Sequence, residues 1–131
     1  MIYLLDVNAL VALAFMNHEF HGRVAAWVQS TNSAQLASCS ITELGFVRVL
    51  AQAPAYGFTV AQARTLLLRL KQSRASRLEF IPDENDVSHL PGWVRAPRQI
   101  TDGHLSKLAS ANGAVLATLD ANIPGSYLIP Q

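Results

Sequence analysis

Residues 1–16 read MIYLLDVNALVALAFM. An apolar opening of this kind invites a leader-peptide or membrane reading. Asp6 and Asn8 interrupt it, no Lys or Arg precedes it, and the uninterrupted apolar part is too short to span a bilayer. The run Ile2 to Leu5, ending in Asp6, instead reads as a short buried strand. Asn8 is then placed to cap a helix that carries Leu10, Leu13 and Ala14 on one face. A strand turning directly into a helix is the opening unit of an α/β protein, and the rest of the chain repeats it.

Phe20, Val24, Trp27 and Val28 share helical spacing and predict a second helix. Thr31 to Ser33 reads as a turn and Gln35 to Ser38 as a second strand. Ser40 is expected to cap a helix running to about Gln52, stopped by Pro54 and Gly57. Thr59 caps the next helix, where Val60, Ala63, Leu67 and Leu70 form a stripe and Arg64, Lys71 and Arg74 lie off it. Leu78 to Ile81 predicts a third strand. A mixed loop from Pro82 to Pro97 follows, with one helical turn around Asp86 to Leu90. Thr101 opens a helix that ends at Asn112-Gly113. Ala114 to Leu119 is a fourth strand ending at Asp120, and Tyr127 to Ile129 a short fifth. Continuous apolar strands alternating with helices predict a three-layer α/β/α sandwich around a mainly parallel sheet of four or five strands.

Composition bounds the rest. The 131 residues suit one domain over 1–131. Half are hydrophobic and 15% are charged, which excludes a disordered tail and provides for a full core with apolar surface left for a partner. Phe15, Trp27 and Phe46, on the helices from Asn8 to Gln52, are the expected partner-facing aromatics. The net charge of +1 does not announce a nucleic acid or an anionic membrane. A lone cysteine, Cys39, makes neither a disulfide nor a Cys-rich zinc site, and a reducing, cytoplasmic setting fits.

The acids carry the chemistry. Glu79, Asp83, Glu84 and Asp86 fall in or beside a polar loop and read as solvated, as does Glu19 on its helix. Asp6 and Asp120 end strands, and parallel strands send both to one sheet edge. The helices opened by Ser40 and Thr101 begin at that same edge, so Glu43 and Asp102 join them. Singly, each acid is explained by capping or by a helix dipole. Four carboxylates on one edge, with no Lys or Arg beside any of them in sequence, repel by about 1–4 kcal/mol per pair at ~4 Å. Such an oxygen-rich set suits Mg²⁺ or Mn²⁺. Hard divalent ions so held activate water and neutralise charge on a phosphate, which points to phosphodiester hydrolysis.

The motifs LLDVNALV, SITELGFVRVL, ITDGHLSKLA and VLATLD, in this order and spacing, resemble the PIN domain over essentially the whole chain, and more narrowly the VapC-type toxins of bacterial toxin–antitoxin pairs. The resemblance implies that Asp6, Glu43, Asp102 and Asp120 bind the metal, with Asn8 and Thr118 as polar supports. It also implies Mg²⁺- or Mn²⁺-dependent endoribonuclease action on cellular RNA, a homodimer, and inhibition by a cognate antitoxin. Two features depart from it. Where the family often has an aromatic after Asp120, this chain has ANIPG. The segment Pro82 to Gln99, with Trp93, Arg95 and Arg98, matches no pattern and leaves both RNA contact and core packing open for Trp93.

Other residues have simpler readings. His104 reads as a helix-surface or RNA-contacting side chain, or else as a general base; His18, His21 and His89 read as superficial. Arg48 and Lys107 are either phosphate contacts or plain surface charges. The series Arg64, Arg69, Lys71, Arg74 and Arg77 reads as a solvated face. Two rival functions remain. A phosphorylatable receiver domain would need a pair of acids after the first strand and a Lys near the last; Asp6 stands alone and no Lys follows Asp120. A catalytically inactive PIN-like binding module would have no need of the repulsive quartet.

Overall fold

The computed structural model describes residues 1–32 and 34–131. Its five strands are β1 (Ile2–Leu5), β2 (Gln35–Cys39), β3 (Glu79–Ile81), β4 (Ala114–Thr118) and β5 (Tyr127–Leu128). Its α-helices are α1 (Val7–Ala14), α2 (His21–Ser30), α3 (Ser40–Gln52), α4 (Val60–Gln72) and α5 (Ile100–Ala111). All strand pairs are parallel, in the order β3-β2-β1-β4-β5. The chain builds outward from β1 to β3, then returns to the other side of β1 with β4 and β5. The order therefore reverses between β1 and β4, where open α/β sheets form their sites at the carboxyl ends of the strands.

Two apolar cores confirm the three layers. On one face α1 to α4 bury Leu10, Val24, Trp27, Phe46, Leu50 and Leu67 against Leu5, Leu36 and Ala117. On the other, α5 buries Leu105, Leu108 and Ala109 against Leu4, Ala37 and Leu116. Trp27 and Phe46, expected to face a partner, are therefore core residues (4% and 0% exposed). Phe15 packs edge-on against Tyr56 and Phe58. The apolar side chains that α3 and α4 leave in solvent are instead Leu44, Val49, Val60 and Leu68. Among the described residues no helix is long and apolar enough to cross a membrane.

Helix starts fall close to the expected positions, with two changes of cap. Asp6, not Asn8, caps α1, its Oδ1 accepting the Val7 N–H at 2.8 Å. Cys39, not Ser40, is the cap residue of α3, and the Thr42 hydroxyl accepts the Cys39 N–H at 3.0 Å. Thr59 caps α4 as expected, in a reciprocal pair with Gln62. The helix ending at Asn112 is closed by Gly113 at φ +68°. The expected turn of helix near Asp86 is a short 3₁₀ segment, Val87–His89. Thr31 and Asn32 lie in a turn, while Ser33, assigned to the same turn, lies outside the described residues.

The loop that matched no pattern has a structural task. Trp93 is half-buried against the α5 core, and the Pro91–Val94 segment presses on the first turn of α5. A Cβ at Gly103 would stand 2.2 Å from Val94 Cγ2. Any side chain there would force Val94 out of its seat. Gly103→Ala is thus expected to destabilise the protein by about 1–3 kcal/mol, measured by chemical denaturation. A change close to zero would show that the loop does not pin the start of α5.

Candidate active site

The end of β1 sets the site. The last rung of the β1–β4 ladder pairs Leu5 with Ala117, and the Asp6 N–H still bonds the Ala117 carbonyl at 2.9 Å. Asp6 and Thr118 therefore leave the sheet side by side. The Thr118 hydroxyl, fully buried, donates to Asp6 Oδ2 at 2.8 Å. It also accepts the Asp120 N–H at 3.0 Å and the Asn8 amide at 3.3 Å. Asn8 in turn accepts the Leu119 N–H at 3.2 Å through its Oδ1. Asn8 and Thr118 thus tie the start of α1 to the end of β4.

Asp120 begins the loop that departs from the family pattern. Its Oδ1 accepts the Asn122 N–H at 2.9 Å, and Ile123 is buried in the α5 core. An aliphatic anchor holds the loop here. Asp102, in the first turn of α5, completes the group from the other side of the sheet.

Burial and neighbouring negative charge act on two of these acids. Burial pushes the Asp6 carboxyl up; its bonds from Thr118 and Val7 oppose this, and the Asp120 charge adds to it. Asp102 is raised by burial and then by the charges of Asp6 and Asp120. The Asp120 charge thus acts on Asp6, those of Asp6 and Asp120 act on Asp102, and none of the three is ion-paired among the described residues. No three acidic, His or Cys side chains among the described residues already converge on one ligating point. Mg²⁺ is a small hard cation that takes oxygen ligands and keeps several waters of its own. The residues fit such an ion by the chemistry of their donors: carboxylate oxygens only, held at a reversal of strand order.

Glu43 differs from the other three. It lies in the first turn of α3 at the same sheet edge, but its Oε2 accepts both the Ser38 hydroxyl and the Lys71 ammonium, each at 2.7 Å. Lys71, expected on a solvated face, is in the last turn of α4 and neutralises Glu43. No spacing signal joins residues 28 positions apart. His104 pairs with Asp83, so neither is the free surface group expected. His21 bonds the Ala12 carbonyl at 2.8 Å and serves the packing of α2 on α1.

Stability of the metal-free protein checks the aspartate group. The folded-state values of Asp6 and Asp102 lie above their unfolded ones, so the folded protein binds more protons in that interval. The stability tied to them is complete below the unfolded value and is lost as pH rises through the raised folded values. Asn caps a helix as well as Asp does. Asp6→Asn, with chelator present, should therefore melt at or above the native protein, with the gap widening from mildly acid to neutral pH. A variant that melts lower across this range would make Asp6 a purely structural carboxylate.

Comparison with known proteins places this geometry. A family model described as PIN domain matches residues 3–124. Ribonuclease VapC38 of Mycobacterium tuberculosis is 38% identical over 127 residues, covering 92% of this chain and 86% of that protein. Ribonuclease VapC44 of the same species is 34% identical over 126 residues, covering 92% and 87%. Among solved structures, VapBC2 of Rickettsia felis, bound to a DNA fragment from its promoter, superposes with a TM-score of 0.62 at 18% identity, covering 98% of this chain and 97% of that one. Mycobacterium tuberculosis VapC20, a sarcin–ricin loop cleaving toxin, superposes with a TM-score of 0.59 at 10% identity, covering 92% of each chain. The two structures share the fold with this chain, and the two ribonucleases are similar to it in sequence over most of its length. The chain belongs to the PIN domain family, among its VapC members.

Proposed function

We propose that residues 1–131 act as one PIN unit, a divalent-metal-dependent endoribonuclease that is the toxin of a toxin–antitoxin pair and cuts cellular RNA in the cytoplasm. The observation that carries the reading is that Asp6, Asp102 and Asp120 gather where strand order reverses, close enough for their charges to act on Asp6 and Asp102, with no Lys or Arg paired to any of them among the described residues. The ribonuclease names of the relatives support the reaction class. The likeness to a VapBC complex supports an antitoxin partner.

The chain's own residues prepare the site. Thr118 and Val7 fix both oxygens of Asp6. Asn8 fixes Thr118, and Asn122 fixes Asp120. Asp6, Asp102 and Asp120 would hold the ion. Phosphodiester oxygens are repelled by the bare carboxylates, so the site accepts RNA only once divalent charge has been added. Bound there, Mg²⁺ or Mn²⁺ would supply an activated water and offset the charge that develops at phosphorus. An inactive binding module would have no use for the repulsion retained at Asp6 and Asp102.

For a homodimer, the exposed apolar strip on α3 and α4 is the surface on offer. Leu44 and Leu68, 63% and 51% exposed, line a groove with Val47, Val60, Arg48 and Arg64.

Purified chain free of antitoxin should cleave RNA with Mg²⁺ or Mn²⁺ and stop when a chelator is added. Asp6→Asn, Asp102→Asn and Asp120→Asn should each lower the rate by at least about a hundredfold. Cleavage that persists in chelator, or native rates in two of these variants, would reject the assignment. For the dimer, Leu44→Asp combined with Leu68→Asp should convert a sedimenting dimer to monomer without loss of fold. A native chain that sediments as a monomer would remove this surface from the proposal.

A further inference from the structure

Lys71 is the only Lys or Arg in an ion pair among the described residues, and it spends that charge at the acidic edge. Four elements meet to hold it. Its Nζ lies 2.7 Å from Glu43 Oε2 on α3 and 5.2 Å from the centre of the Phe80 ring on β3. Its own backbone is in the last turn of α4, where a cation favours the helix dipole. Ser38, fully buried at the end of β2, gives its hydroxyl to the same Glu43 oxygen. The side chains of Lys71 and Glu43 are 25% and 20% exposed, so water screens the pair only in part. Short charge-assisted bonds to one oxygen make this a fixed arrangement, unlike a loose surface contact.

This arrangement bears on what Glu43 can do. A dication ligated by Glu43 would share a carboxylate with an ammonium, and the two cations would repel at close range. Among the described residues no corresponding cation is paired with Asp6, Asp102 or Asp120.

We propose that Lys71 is a positioning residue of the acidic site: it clamps Glu43 against Ser38, outside the direct shell of the divalent ion, and leaves that ion to the three aspartates. The inference rests on the metal-dependent reading above. It adds that the edge is divided into an ion-binding trio and a neutral Glu43–Lys71 pair, and that Lys71 limits how tightly the ion is held.

Mn²⁺ titrated calorimetrically into the full chain without RNA tests this apart from activity. Lys71→Met frees Glu43 and removes a nearby positive charge, so Mn²⁺ should bind about fivefold or more tightly. Lys71→Arg keeps the ion pair and should restore native affinity. The double variant Lys71→Met with Glu43→Gln removes a neutral pair and should bind Mn²⁺ within about threefold of native. Asp6→Asn should weaken binding by about tenfold or more. A merely structural Lys71 would lower the melting temperature and would not tighten Mn²⁺. The proposal is overturned if Lys71→Met leaves Mn²⁺ affinity unchanged or weakens it, or if the double variant loses as much as Asp6→Asn, which would make Glu43 a ligand. Unaltered Mn²⁺ binding in Asp6→Asn would instead overturn the metal-site reading itself.

Discussion

A carboxylate buried to 7% exposure at the end of the central strand is the most demanding feature of this molecule. Burying a charge is costly unless it is hydrogen-bonded or neutralised. Asp6 meets that cost in part through the Val7 N–H and the Thr118 hydroxyl. Both donors exist only because β1 turns directly into α1 and because β4 lies beside β1 in parallel register. A register slip of one residue between β1 and β4 would send Thr118 to the opposite face, and Asp6 would lose one of its two donors. The same slip would strip the Asn8 amide of its acceptor. The fold and the site are therefore fixed by one alignment.

The compensation is incomplete, and that matters for function. Asp6 and Asp102 remain raised above their ordinary values, so the folded chain keeps a strain that protons or a cation relieve. Helix packing holds it in place. A Cβ at Gly45 would come within 2.6 Å of Val7 Cγ2, so α3 crosses close to the start of α1 and holds Glu43 to that edge. Gly103 does the same for α5 and Asp102 against the Pro91–Val94 loop. Both glycines stand two residues from, or next to, an acid. Each lets a helix start approach its neighbour more closely than a side chain would permit.

Much of this is legible in the sequence because it follows from direction. Parallel strands end at one edge, helices following them begin there, and acids at those positions must share it. What escapes the sequence is contact between segments. Asn8 and Ser40 are good caps, yet Asp6 and Cys39 hold the cap positions, because β1 and β2 run almost directly into the helices that follow them. Trp27 and Phe46 seem in excess until α1 to α4 are seen to share one face and enclose them. Lys71 lies off the apolar stripe of α4 and reads as solvated on a helical wheel. A wheel has no axial coordinate, however, and the last turn of α4 is where that face meets the acidic edge.

That axial placement changes how an acidic edge should be counted. Four carboxylates brought together by topology need not form one site. A lysine reaching one of them neutralises it and leaves the other three to act as a group. The net charge of +1 gives no hint of this, because the division is local: one ion pair at the end of β2, and uncompensated negative charge a strand away. A polyanion approaching the edge meets these two regions differently. The neutral pair offers little attraction or repulsion, whereas the trio repels it until divalent charge is present. On the reading proposed above, a site so divided couples substrate access to metal occupancy through Coulomb's law alone, without any moving part.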